Sequence, residues 1–190
     1  VNVPMILELA LNRGRRFNSP FCSGAATMAA SRMRTMDDVK SAFETQLKFI
    51  IKRLMEDLKA LEEANRDYHP TPFTSMLHEG CIASGKCTTA GGAQYNFSGI
   101  QAVAPVGVGD ALYAIDTVVF KEKKISLPDL VSLLKKNIDD PKWLAYLRGL
   151  KKFGNDEEEV DKWTLYTVEA FGKALEGYVS SRGGKYRMGI

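Results

Sequence analysis

One stretch of this chain, residues 94 to 106, restricts the choice of fold more than any other. It mixes aromatic, β-branched and glycine positions around Ile100 and Val103, as a buried strand with close backbone neighbours does. Almost everything around it has helical spacing. A lone strand has no ladder to join. The expectation is therefore a mostly helical chain whose strand pairs with segments outside these 190 residues, with room for a second strand near the C-terminus.

The helices read from apolar periodicity and end signals. Pro4 to Asn12 is a short helix stopped by Gly14. Residues 13 to 34 have no period and read as loop. Thr35 and Asp38 have capping-box spacing, and Val39, Phe43, Leu47, Ile50, Leu54, Leu58 and Leu61 then mark one long amphipathic helix to about Asn65. After His69-Pro70-Thr71-Pro72, residues 73 to 83 can form another helix. Further helices are expected over 110 to 123, from Ser126 to Asn137, from Asp140-Pro141 to about Lys152, and from Val160 to Gly183-Gly184.

Composition excludes several functions. The 26 basic and 23 acidic residues are interspersed, and a net charge of +3 without a basic block disfavours nucleic acid as a partner. No apolar run approaches the ~20 residues of a membrane helix. Cys22, Cys81 and Cys87, odd in number and without secretory context, are expected as reduced thiols in the cytoplasm. The chain opens at Val1 inside a helix-like run and stops at Ile190 after a Gly-rich turn, so truncation at both ends is expected.

Three motifs invite chemistry. Gly80-Cys81-Ile82-Ala83-Ser84-Gly85-Lys86 has the glycine and lysine spacing of a phosphate-binding loop, giving a nucleotide-binding alternative. Against it, Cys87 stands where Ser or Thr should meet magnesium, and no clear strand precedes it; a helix end at Gly85 is the plainer reading. Cys81 is read as a buried structural thiol rather than a nucleophile. His69 and His78 lack metal-pair spacing with each other or with the cysteines, so no metal site is expected. Paired Gly91-Gly92 suits close backbone approach and positive φ better than a dinucleotide turn. A non-catalytic helical scaffold is the remaining alternative.

Taken in order, the motifs resemble the glycyl radical enzymes, the pyruvate formate-lyase-like family, on its dehydratase-like branch. Asn2 to Asn12 is similar to the helix that follows the family's catalytic cysteine. Pro72 to Lys86 resembles the helix before its "Gly-Gly-Ala-x-Tyr-Asn" strand, matched here by Gly91 to Asn96. Asp110 and Leu112 match "Ala-Asp-Ser-Leu", and Val119-Phe120 with Glu122-Lys123 match "Val-Phe-Glu-Glu-Lys". Phe153-Gly154-Asn155-Asp156 with Val160-Asp161, and Arg182-Gly183-Gly184 with Tyr186, close the series. Gly107 for Asn, Ala111 for Ser, Cys87 for Asp, and Pro105-Val106 at the strand end depart from the pattern.

The resemblance implies an α/β fold, part of a ten-stranded barrel that is mostly helical in this portion, with residues 1 to 190 as one partial domain. It implies a radical lyase or dehydratase, or a formate acetyltransferase-like enzyme, that is inactive as this piece alone. The glycyl radical, the thiyl-forming Cys in Gly-Cys-Val-Glu and its Glu would all lie outside the chain, the Cys shortly before Val1. No cofactor would be bound here. The radical would be installed by an activating enzyme using S-adenosylmethionine and an iron–sulfur cluster, and the full-length protein would be an anaerobic, cytoplasmic homodimer. This chain would supply cavity wall. If the strand's inward face includes Gln101, period-two alternation adds Val103 and Pro105.

Overall fold

A computed structural model describes residues 1–19 and 21–190. Among the described residues, the loop expected over 13 to 34 carries an antiparallel bridge between Arg15 and Cys22 and a 3₁₀ turn at Ala30–Arg32 and is otherwise irregular; Pro20 lies outside the described residues. The chain forms two compact units, one from Val1–Ile50 with Ala102–Phe171, the other from Ile51–Gln101 with Gly172–Ile190.

In the first unit, α1 (Val3–Leu11) starts where the Asn2 side chain accepts the Met5 amide at 3.1 Å. It buries Val3, Ile6, Leu9 and Ala10 completely. The same unit's core takes Val39, Phe43 and Leu47 from α2 (Met36–Tyr68), and Val108 and Leu112 from α5 (Pro105–Ile115), the helix α1 packs against. α5 continues into a π-helical turn, Asp116–Lys121. α6 (Leu127–Lys135) and α7 (Pro141–Arg148) follow, capped by Ser126 and Asp140. α8 (Glu158–Leu175) packs so tightly on α5 that a Cβ on Gly109 would stand 2.2 Å from Thr164 Oγ1.

The long helix begins as its sequence predicts. Thr35 Oγ1 accepts the Asp38 amide at 3.3 Å, while the Asp38 carboxylate accepts the Thr35 amide at 2.9 Å and the Arg34 amide at 2.7 Å. The buried Gln46 amide secures the loop before it, accepting from Ala25 N and donating to Ala25 O at 2.7 Å.

In the second unit the expected helix over 73 to 83 is two, α3 (Pro72–Met76) and α4 (Cys81–Ser84). Gly80 breaks it in a left-handed conformation, φ 93°, because a Cβ there would meet Gln94 N at 2.9 Å. The strand is also shorter than 94 to 106. β1 (Ser98–Gln101) is regular, Val103 adds an isolated bridge, and Pro105 already opens α5. The expectation that its partners lie outside the chain is corrected: β1 pairs in parallel with β2 (Tyr186–Gly189), Ser98 opposite Tyr186 and Gln101 opposite Gly189.

Candidate strand-face site

The motif residues of the second unit hold its parallel pair together. A Cβ on Gly91, φ 79°, would stand 2.6 Å from Arg182 O, and one on Gly184 would overlap Asn96 O at 1.5 Å. Asn96 in turn donates to Ala93 O at 2.6 Å and Gly91 O at 3.2 Å. The glycines therefore serve close backbone approach. Glu62 of α2 adds a polar clasp. One carboxylate oxygen accepts from Ser98 Oγ at 3.1 Å, and the other accepts from Ser181 N and Oγ at 2.8 and 2.9 Å. Arg182 donates to Ser98 Oγ at 2.7 Å and stands 4.0 Å from Glu62. Burial, and then the Glu62 charge, raises the Tyr186 phenol above its ordinary range. In the first unit two other motif segments meet, where Phe153 N donates to Asp110 Oδ1 at 2.9 Å.

The strand has two unlike faces. Ile100 and Ala102 are buried, whereas Gln101 and Val103 point to solvent, Val103 at 51% exposure. In the ladder, Ile100 shares its face with Met188, and Gln101 shares the open face with Gly99, Arg187 and Gly189. The alternation stops after Val103. Ala104 turns left-handed at φ 58°, and Pro105 is buried as the first residue of α5. Val103 is tied to the chain start: its N donates to Val1 O at 2.9 Å, and Val3 N donates to its carbonyl at 3.2 Å. Whatever enters α1 therefore passes beside Val103. A cleft of about 280 Å³ lined by Leu175, Val179, Tyr186 and Met188 lies on the other face of β2.

Gly80 to Lys86 does not form a phosphate loop. Its amides are spent inside the turn, Ser84 N on Gly80 O, Gly85 N on Ile82 O and Lys86 N on Cys81 O. A helical turn rather than a strand precedes it, and α4 has only four residues. Cys81 is a buried free thiol with 4% exposure, Cys22 is exposed and Cys87 intermediate. Among the described residues no cluster of three His, Cys, Asp or Glu could hold a metal, and no helix is long and apolar enough to cross a membrane.

The family model described as pyruvate formate lyase-like matches residues 1–190, the whole of the chain. The chain belongs to the pyruvate formate lyase-like family. It is 28% identical over 193 residues to the (2S)-3-sulfopropanediol dehydratase of Klebsiella oxytoca, covering 100% of this chain and 23% of that protein. Among solved structures, the glycerol-bound B12-independent glycerol dehydratase of Clostridium butyricum superposes with a TM-score of 0.94 at 30% identity, over 100% of this chain and 24% of that one. A glycyl radical enzyme from Archaeoglobus fulgidus superposes with a TM-score of 0.91 at 33% identity, again over 100% and 24%. The fold is thus that of a stretch of the glycyl radical enzyme α/β barrel, about a quarter of the length of the relatives it matches. Neither the nucleotide-binding alternative nor the helical scaffold is supported.

Nothing in the sequence pattern marks Glu62, Ser98 and Ser181. Glu62 looks like one more acid on the polar face of a long helix, and only the partner loop, 119 residues away in sequence, marks it.

Proposed function

We propose that residues 1–190 are one stretch of a longer barrel domain in a glycyl radical dehydratase, and that the open face of β1 is wall of its substrate cavity. The observation that carries this is the alternation along the strand: Ile100 is packed and Gln101 left open, then Ala102 is packed and Val103, hydrogen-bonded to the chain entering α1, left open. On this reading the thiyl-forming cysteine, which the resemblance implies shortly before Val1, would face the open side of Val103. The radical, held outside this chain, supplies hydrogen abstraction from substrate through that cysteine. Gln101 offers an amide that donates to and accepts from a substrate hydroxyl. Val103 covers apolar substrate surface and excludes water. Pro105, buried, fixes the strand-to-helix turn behind them.

The substrate is a small hydroxylated compound, in keeping with the relatives' dehydratase names. The full-length protein is further proposed to be an anaerobic, cytoplasmic homodimer that depends on a radical S-adenosylmethionine activating enzyme. In the activated full-length enzyme, Gln101→Ala and Val103→Phe should each lower kcat/KM at least tenfold without changing radical yield. Unchanged turnover in both variants would remove β1 from the cavity wall.

A further inference from the structure

Gly189 stands directly opposite Gln101 in the parallel ladder. Its backbone is not what requires glycine, because its φ lies outside the left-handed region, where only glycine is comfortable. Space is the distinguishing feature. A Cβ at 189 would sit 3.1 Å from Gln101 Oε1 and 3.8 Å from its Cδ, so the amide lies closer to that place than a side chain there would allow. Elsewhere on this face the room is not used in this way. A Cβ on Gly99 would meet nothing within 4 Å, and the Arg187 guanidinium is 5.4 Å from the Phe97 ring centroid.

We propose that Gly189 is a positioning residue: its missing side chain leaves the recess that sets the direction of the Gln101 amide. This rests on Gln101 being cavity wall. A methyl group at 189 would force the amide to shift by a few tenths of an ångström. The atom that must yield is the end of a flexible side chain, so the backbone and the fold can stay as they are. Hydrogen bonds weaken steeply with misdirection, and a displacement of about 1 Å can cost about 100-fold in rate. A smaller shift is expected to cost about tenfold.

The test uses the activated full-length enzyme with a small diol as substrate, and compares Gly189→Ala, Gln101→Ala and the double variant for kcat/KM, radical yield and Tm. Gly189→Ala should lose about tenfold in kcat/KM with radical yield and Tm unchanged. Gln101→Ala should lose at least as much, and the double variant no more than Gln101→Ala alone, because two changes acting through one amide are not additive. Additive losses, or a normal rate in Gly189→Ala beside an impaired Gln101→Ala, would overturn the positioning role and leave Gln101 in the wall. A lowered Tm and radical yield in Gly189→Ala would make Gly189 a folding residue and overturn the role as well. A normal rate in Gln101→Ala would take Gln101 out of the wall, and overturn the positioning role with it.

Discussion

Single atoms separate glycines that hold the fold from glycines that merely occupy it. A Cβ on Gly184 would overlap Asn96 O at 1.5 Å, a backbone atom that cannot turn aside, so Gly184→Ala should cost ~3 kcal/mol or more, read as a lowered denaturation midpoint. Gly172, inside α8 with nothing within 4 Å of its Cβ direction, should gain about 0.5–1 kcal/mol on change to Ala, a rise in the same midpoint. Ala104 is the reverse case. Held at φ 58° between strand and α5, it should be relieved by Gly, raising Tm, while a β-branched residue there should lower it. Cys81, at 4% exposure, should resist thiol reagents in the native protein while Cys22 reacts; modification of Cys81 at the rate of Cys22 would contradict its structural role.

At the scale of elements, the Glu62 clasp fixes β1 against the turn that leads into β2. Glu62→Ala removes the acceptor for Ser98 Oγ, Ser181 N and Ser181 Oγ together and should cost ~2–4 kcal/mol, with local hydrogen exchange in 98–101 and 186–189 rising first. The capping box at α2 is weaker, and Thr35→Ala should cost about 1 kcal/mol. Hydrogen bonds from the Arg34 amide and then the Thr35 amide hold the Asp38 carboxyl below the usual carboxylate range. A lowered folded pKa makes the cap fully effective above the unfolded value and lost as pH falls through the folded one, so helix fraying at 35–40 should begin only below about pH 4. These elements also show which parts of the fold could be read in advance. The stripe from Val39 to Leu61 and the caps at Thr35, Ser126 and Asp140 depend on neighbours within a turn, and they were legible. The break at Gly80 depends on Gln94, and the pairing of β1 with β2 on Gly91 and Gly184, far apart in the chain; neither leaves a local pattern. Alternation through Gln101 and Val103 was legible too, but its end at Ala104 was not, because one left-handed residue converts strand to helix without a glycine to announce it.

At the scale of the whole molecule, the two units differ in how much they bury. The first has fully buried side chains from α1, α2, α5 and the π turn; the second buries Ile51, Met55, Ile100, Leu175 and Tyr186 but leaves Phe73, Met76, Leu77, Ile82 and Tyr95 more than half exposed. Exposed apolar surface on that scale favours association. The isolated 190-residue chain should therefore self-associate and show no turnover, and dehydration by the purified chain would be incompatible with the cavity-wall role proposed for it. The proposed function instead gives radical-dependent dehydration to the full-length protein. The decisive measurement is electron paramagnetic resonance of the full-length protein after anaerobic incubation with its activating enzyme, S-adenosylmethionine and a reductant. A stable organic radical should form only when all three are present, track diol dehydration in amount and disappear in air. Dehydration without any such radical would contradict the proposed function.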